Sequence, residues 1–456
     1  MFKTLNSNRY YLLFFVIEIL ILLILPIYNN FPYVFYDTAA YILSGMNYHV
    51  PSDRPIIYGL FINYMSLNIS LWFVVLAQII ITILTLRYLL VSLDLVKNHW
   101  LELLIIILLS FTTSLSYNTG FLIPDIFTPI SCILSFVILF GSLTKLERGL
   151  LTLLYLVSLM THLSNVPINI LTLLCLLILS IFRFGITSSR YSIQIVILIL
   201  LNLISLQVLS ATHYMYGKSF VISKCPFKFV LARLSEERIL KDLLNDKCIQ
   251  DSDYSRLCPY KNELYLQPSK FLWREDSPFI QIASCNSKNN KEIKKLIYDS
   301  FSNPGFVYRF IKGSTVSSMK LLINFGVTRQ HFDENSNNNR AIKKYFPDDY
   351  NEFVKSRQFN NLINTNHLNM YYSIFLIPYL LIILYLLWFK YPYIDTKIKL
   401  AVIYFSLFYI SNSIVSAGFS ANNSRYSNRV IWIIPLIAII VLYNYLKNKN
   451  SAQISE

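Results

Sequence analysis

Ten mostly apolar runs, most of about 15 to 22 residues, recur along this chain, and no other feature constrains its fold so tightly. Each comes near the ~20 residues that a helix needs to cross a hydrocarbon core. They lie at 10–27, 71–92, 101–115, 126–143, 150–163, 167–182, 191–210, 370–389, 399–415 and 430–446. Of the 456 residues, 55% are hydrophobic and 14% charged, against roughly 25% charged in a soluble domain. A soluble protein is excluded, as are disorder, collagen and a coiled coil. The expected fold class is an all-α polytopic membrane protein with an N-terminal transmembrane module (1–210), a mainly helical extracytoplasmic insert (211–369) and a C-terminal transmembrane module (370–456).

Charge sets the orientation. The first run follows Lys3 and Arg9 but has no small-x-small cleavage site, so it reads as a retained helix. With the N-terminus inside, the short inner segments hold thirteen Lys and Arg residues, among them Arg87, Lys97, Lys145, Arg183 and Lys397, and the short outer loops hold three, Arg54, Arg425 and Arg429. That bias places 28–70, the turns at 116–125 and 162–166, the insert and 416–429 outside. The net charge of +15 is diffuse, with no basic run interleaved with aromatics, so nucleic acid is not an expected partner.

Segment 28–70 reads as two short amphipathic helices, about 37–48 and 55–67, in the membrane interface. In the insert, Phe227 to Asn245 repeats apolar residues at helical spacing and predicts one amphipathic helix. Others are expected near 290–302, 306–324 and 349–361, and Asn335 to Arg340 reads as an Asn-rich mobile loop. Cys132 and Cys175 fall within apolar runs and serve as small fillers. Cys225, Cys248, Cys258 and Cys285 lie in the insert, where an oxidising compartment permits bridges. Cys248 and Cys258 are the closest pair and the disulfide candidate, with free thiols the alternative, and the spacing fits no zinc pattern.

The polar residues of interest share the outer face. Asp37 follows the first span, where a carboxylate beside lipid is costly unless used, although it also suits a helix N-cap. Asp53 and Arg54 stand immediately before Pro55 and a helix, where they could simply pair with each other. Asp125, after Pro124, could be a cap that complements a helix dipole. His162 closes the fifth run, where dipole compensation is the plainer reading. Arg425 and Arg429 stand four apart before the last run and share a face if the helix begins early, or else snorkel to headgroups.

Taken together, an Asp after the first span, two short helices in the first outer loop, Arg54-Pro55-Ile56-Ile57-Tyr58, Pro124-Asp125 at the head of a later span and a large outer insert resemble the GT-C superfamily of integral membrane glycosyltransferases. The nearest branch holds the protein O-mannosyltransferases and the aminoarabinose transferase of lipid A. The motifs Phe229-Val230-Leu231-Ala232-Arg233-Leu234 and Phe271-Leu272-Trp273 also resemble uncharacterised bacterial inner-membrane proteins. The resemblance implies a bacterial inner-membrane enzyme with an extracytoplasmic site that moves a sugar from a polyprenyl-phosphate donor to a lipid, glycan or protein acceptor, with membrane lipids around it. It casts Asp37 as the base, Arg54, Arg425 and Arg429 as the donor-phosphate clamp, and Asp53, Asp125 and His162 as acceptor-positioning or metal-binding groups. The family often carries a second acid beside the first, where this chain has Tyr36, so a divalent metal is possible and not required.

Such chemistry has simple needs. A phosphate leaves without protonation, so the carboxylate pair of a glycosidase is unnecessary. One base takes the acceptor proton as its oxygen attacks from the opposite face, which inverts the anomeric centre. Arginine forks hold the phosphate and its developing charge. Two other classes compete: a transporter or lipid flippase, for which Glu18 in the first span is the expected midplane charge, and an O-antigen polymerase or ligase type of transferase, which would use His213, His331 or His367. A non-catalytic scaffold is the remaining reading.

Overall fold

A computed structural model of the chain describes residues 9–95, 99–181, 189–248, 254–274, 276–277, 290–330, 332–333 and 335–455. Lys3, Lys97, Arg183, Cys285 and His331 lie outside the described residues. The order is α1 (Arg9–Asn29), α2 (Thr38–Met46), α3 (Ile57–Met65), α4 (Leu71–Ser92), α5 (His99–Thr112), α6 (Leu115–Thr119), α7 (Phe127–Phe140), α8 (Lys145–Thr161), α9 (Asn165–Ile181), α10 (Ser189–Gly217), α11 (Lys228–Glu236), α12 (Ile239–Lys247), α13 (Pro268–Trp273), α14 (Asn290–Ser302), α15 (Pro304–Ile323), α16 (Asn337–Tyr345), α17 (Pro347–Lys355), α18 (Thr365–Phe389), α19 (Thr396–Phe419), α20 (Ser424–Asn428) and α21 (Ile433–Ser455). Among the described residues the only β pairing is an isolated parallel bridge between Tyr33 and Phe121.

A helix occupies each of the ten apolar runs. Six of these segments are long and apolar enough to cross a membrane: α1, α4, α10, α18, α19 and the stretch from Ser424 to Asn450. The apolar helices α5, the segment Pro124–Phe140 and α9 are shorter. α8 starts on a capping box, with Thr144 and Glu147 bonding reciprocally to each other's backbone N–H. The chain is thus an all-helical integral membrane protein.

The 28–70 segment is not laid loosely on lipid. α2 and α3 cross so closely that a Cβ on Gly45 would lie 1.9 Å from the carbonyl oxygen of Gly59. Only glycine fits there, and the contact buries Tyr41, Ile42, Tyr58 and Ile62 in the main core. The helices are also shorter than expected, because Tyr48, Leu67 and Asn68 take positive φ and end them.

The insert departs from expectation in three ways. The helix expected over 227–245 is broken into α11 and α12 by Arg238, whose φ of 61° leaves the right-handed helical region. Asn335 to Arg340 is not a mobile loop: Ser336 caps α16 by accepting from the Asn339 N–H, and Asn338 is buried. Last, the insert is two structures. Residues 225–310 form their own core around Leu231, Leu240, Leu244, Phe271 and Leu296, while Val327, Ile342, Phe346 and Phe353 join the main helical core. Cys248 and Cys258 are disulfide-bonded in the first part, Cys225 is bonded as well, and Cys132 and Cys175 are free.

Candidate active site

The segment that carries Asp37 is held from three sides. Tyr33 exchanges backbone hydrogen bonds with the 120–122 segment, through Tyr33 N–H to Gly120 O and Leu122 N–H to Tyr33 O, both 2.9 Å. The Thr38 hydroxyl donates to Leu122 O at 3.0 Å. From the insert, the Gln358 amide pairs with both backbone groups of Val34 at 2.9 Å, and Asn338 accepts from Ala39 N–H (2.7 Å) while donating to Phe35 O (2.8 Å). Nothing in the sequence marks these clamping amides as site residues.

Asp37 itself caps nothing: it stands before α2 without a side-chain cap bond. Its carboxylate turns to two arginines, with Arg54 Nη1 at 3.1 Å and Arg425 Nη1 at 3.6 Å. Arg54 also donates to Asp53 at 3.1 Å, and Asp53 takes Lys228 Nζ at 3.0 Å. On the other side, Asp125 lies 3.4 Å from Arg425 Nε and 3.7 Å from Arg429 Nη1. The arginines do not snorkel. Arg425 lies over the Phe35 ring at 4.2 Å, and Arg429 is fully buried, donating to Asn412 (2.9 Å), Ser416 (3.0 Å) and Ser164 (3.2 Å). His162 ends α8, and its Nδ1 accepts from the Ser164 N–H at 3.2 Å.

These groups surround a cavity of about 220 Å³ whose lining includes Asp37, Asp53, Arg54, His162, Arg425 and, from the insert, Phe229. Asp125 and Arg429 stand behind that lining. Three carboxylates face four cations here, so the cluster is one positive charge in excess. Arg54 Nη1, Arg425 Nε, Arg429 Nη1 and both oxygens of Asp125 are buried without a well-formed hydrogen bond; of these residues Arg54 and Arg425 line the cavity, where an acceptor ligand would relieve the cost. Burial pushes the Asp53 carboxyl up, but Arg54 and Lys228 more than reverse this and hold it at about 2. The same burial draws the Lys228 ammonium below its usual value, only partly offset by Asp53. Among the described residues no three His, Cys, Asp or Glu side chains gather as a metal site.

All seven residues singled out as catalytic, phosphate-binding or acceptor-positioning groups therefore meet at one end of the helices, although Asp37 and Arg429 are almost 400 residues apart. Lys228 and Phe229 were missed as site residues; the available signal was a lysine between two phenylalanines at the start of an amphipathic helix. His213 lies elsewhere, bonded to the backbone of Val221 and Ile56. No protein-family model, no curated protein and no solved structure matches this chain.

Proposed function

We propose that the protein is a membrane glycosyltransferase of the GT-C type, moving a sugar from a polyprenyl-phosphate donor to an extracytoplasmic acceptor with inversion. The observation that carries this reading is the position of Asp37 between Arg54 and Arg425 at the wall of a positively charged cavity. Of the three carboxylates its side chain is the most exposed, at 27% against 9% for Asp53 and 2% for Asp125. It is the one an acceptor hydroxyl can reach. Arg54 and Arg425 line the cavity and form the phosphate clamp, whereas Arg429 and Asp125 orient Arg425 from behind. In the resting protein Asp37 occupies both guanidinium groups. A donor phosphodiester, singly charged like the carboxylate, competes for them with two oxygens that can each accept from a guanidinium fork, which frees the carboxylate to accept the proton of the attacking hydroxyl.

Supporting the transferase over an O-antigen ligase reading, His213 and His367 are absent from the lining of this cavity. The transporter reading has one observation of its own, a buried group of Glu18, Arg87 and Glu102 within the helices. We further propose ten crossings with both termini inside, the shorter helices α5, α7, α8 and α9 among them. Reporter fusions at 145 and 394 should read cytoplasmic and one at 340 extracytoplasmic; a cytoplasmic reading at 340 rejects the orientation. The enzymatic reading is tested by giving the purified full chain a polyprenyl-phosphate sugar and an envelope extract as acceptor. Release of polyprenyl phosphate with an inverted anomeric centre is expected. Retention of configuration, or no release with protein that binds donor, contradicts it.

A further inference from the structure

α15 belongs by sequence to the soluble insert, yet it runs down the side of α19, one of the helices long enough to cross the membrane. The register is fixed by a ladder of contacts. Phe310 meets the Phe419 ring at 6.3 Å, Ser314 Oγ donates to Gly418 O at 2.8 Å, Ser413 donates to Ser318 O, and the Tyr409 hydroxyl donates to Leu322 O at 2.8 Å. From Phe419 to Tyr409 is about 15 Å of helix at 1.5 Å per residue. The 24 residues of α19 span about 36 Å, only ~6 Å more than a hydrocarbon core. If α19 crosses the membrane, Leu322 lies about 9 Å or more below its surface.

The outer face of α15 agrees. Tyr308, Ile311, Thr315, Met319 and Ile323 recur every three to four residues and are exposed, Met319 by 64% and Ile323 by 80%, which puts an apolar stripe on one side of the helix. Lys312 and Lys320 interrupt or edge this stripe, with stems long enough to lift their charges toward headgroups.

Between α15 and α19 runs a second cavity of about 380 Å³, walled by Ile311, Thr315 and Met319 of that same stripe together with Leu322, Ile414 and Phe419. It is apolar, and it shares Phe419 with the charged cavity. One end thus suits an anion and the other a hydrocarbon chain. We propose that α15 re-enters the membrane beside α19 and that the groove between them holds the hydrocarbon chain of the polyprenyl-phosphate donor, an inference that rests on the transferase reading for the identity of the headgroup.

The full chain, reconstituted in phosphatidylcholine nanodiscs, would be cross-linked with a polyprenyl phosphate bearing a photoreactive group in its first isoprene units. Cross-links are expected within 304–323 and 396–419, competed by unlabelled polyprenyl phosphate and not by added phosphatidylcholine. Ile414→Trp, at a partly exposed position, should weaken binding of the long-chain lipid about tenfold, roughly what two displaced methylenes are worth, and leave isopentenyl phosphate unaffected. Competed cross-links that map elsewhere overturn the groove while the transferase reading stands. Equal competition by phosphatidylcholine makes the groove a seat for bulk lipid, and cross-linked dimers make it a contact between copies; both overturn the proposal. If the unaltered protein shows no competed binding anywhere, the transferase reading fails and the chain assignment with it.

Discussion

Two groups of buried charge occupy this helix bundle, and they differ in what surrounds them. Around Arg87, the guanidinium sits 3.2 Å from Glu102, 3.0 Å from His99 Nδ1 and 3.9 Å from the centre of the Tyr11 ring, with Glu18 buried within electrostatic reach. Arg87 pairs with the Glu102 carboxylate, and none of these residues lines a cavity described above. Around Asp37 the cations outnumber the acids, a cavity opens among them, and five polar atoms lack good hydrogen bonds where the Arg87 group leaves one, Glu102 Oε1. Burying charge is costly in both places. In the first the charges stabilise one another; in the second part of the compensation is left for a ligand. Burial of charge alone therefore does not mark a site, and excess charge beside open volume does.

Substitutions can break this comparison. The largest effect is expected from Arg87→Met, which strands the buried Glu102 carboxylate: unfolding free energy should fall by about 3–5 kcal/mol, while donor affinity per folded molecule stays unchanged. Loss of donor affinity in folded Arg87→Met protein would join the two groups into one site. Next, Arg54→Ala or Arg425→Ala should weaken polyprenyl-phosphate binding by roughly 10²-fold, as for removal of one partner from a desolvated charge pair. Lys at either position should restore only part of it, because the fork is lost. Silent Arg→Lys and Arg→Ala variants would rule out the phosphate clamp. Smaller again, Cys248→Ser should lower the stability of the 225–310 core by about 2–3 kcal/mol, from the short loop that the bridge closes, as read by hydrogen exchange confined to that core. Exchange spreading to 327–363 would show that the insert is one unit after all.

The smallest effect concerns pH. The Asp53 carboxyl is held at about 2 when folded, below the ~3.9 of an unfolded chain. Its contribution to stability is complete above about pH 4 and is lost as pH falls through about 2. The difference in melting temperature between the unaltered protein and Asp53→Asn should therefore stay constant from pH 8 to pH 5. A difference that shrinks across that interval would mean that the Arg54 and Lys228 pairs do not hold the charge.

Much of this was legible in the sequence because it rests on local pattern. Apolar runs locate the ten helices, since hydrophobic length is a property of each segment alone, and ionisable residues at the ends of such runs are rare enough to pick out Asp37, Arg54, Asp125, Arg425 and Arg429. What escaped depends on tertiary contact. The amides of Asn338 and Gln358 look like ordinary surface polarity until their partners Phe35, Ala39 and Val34 are known. Arg238 breaks a periodic helix through one backbone angle that no spacing reveals. The descent of α15 along α19 is hidden for a different reason: Lys312 and Lys320 give it the composition of a soluble helix, and only its exposed stripe and its serine contacts show otherwise.

The central claim is that Asp37 both occupies the arginine clamp at rest and serves as the base in transfer. Asp37→Asn separates these roles in one variant, so donor binding and turnover should be measured on the same preparation. The account predicts that the Asn protein binds polyprenyl phosphate at least as tightly as the original, since both guanidinium groups are released, while turnover falls by at least the ~10² expected for a lost base. Near-normal turnover by correctly folded Asp37→Asn protein, whatever its donor affinity, would contradict it.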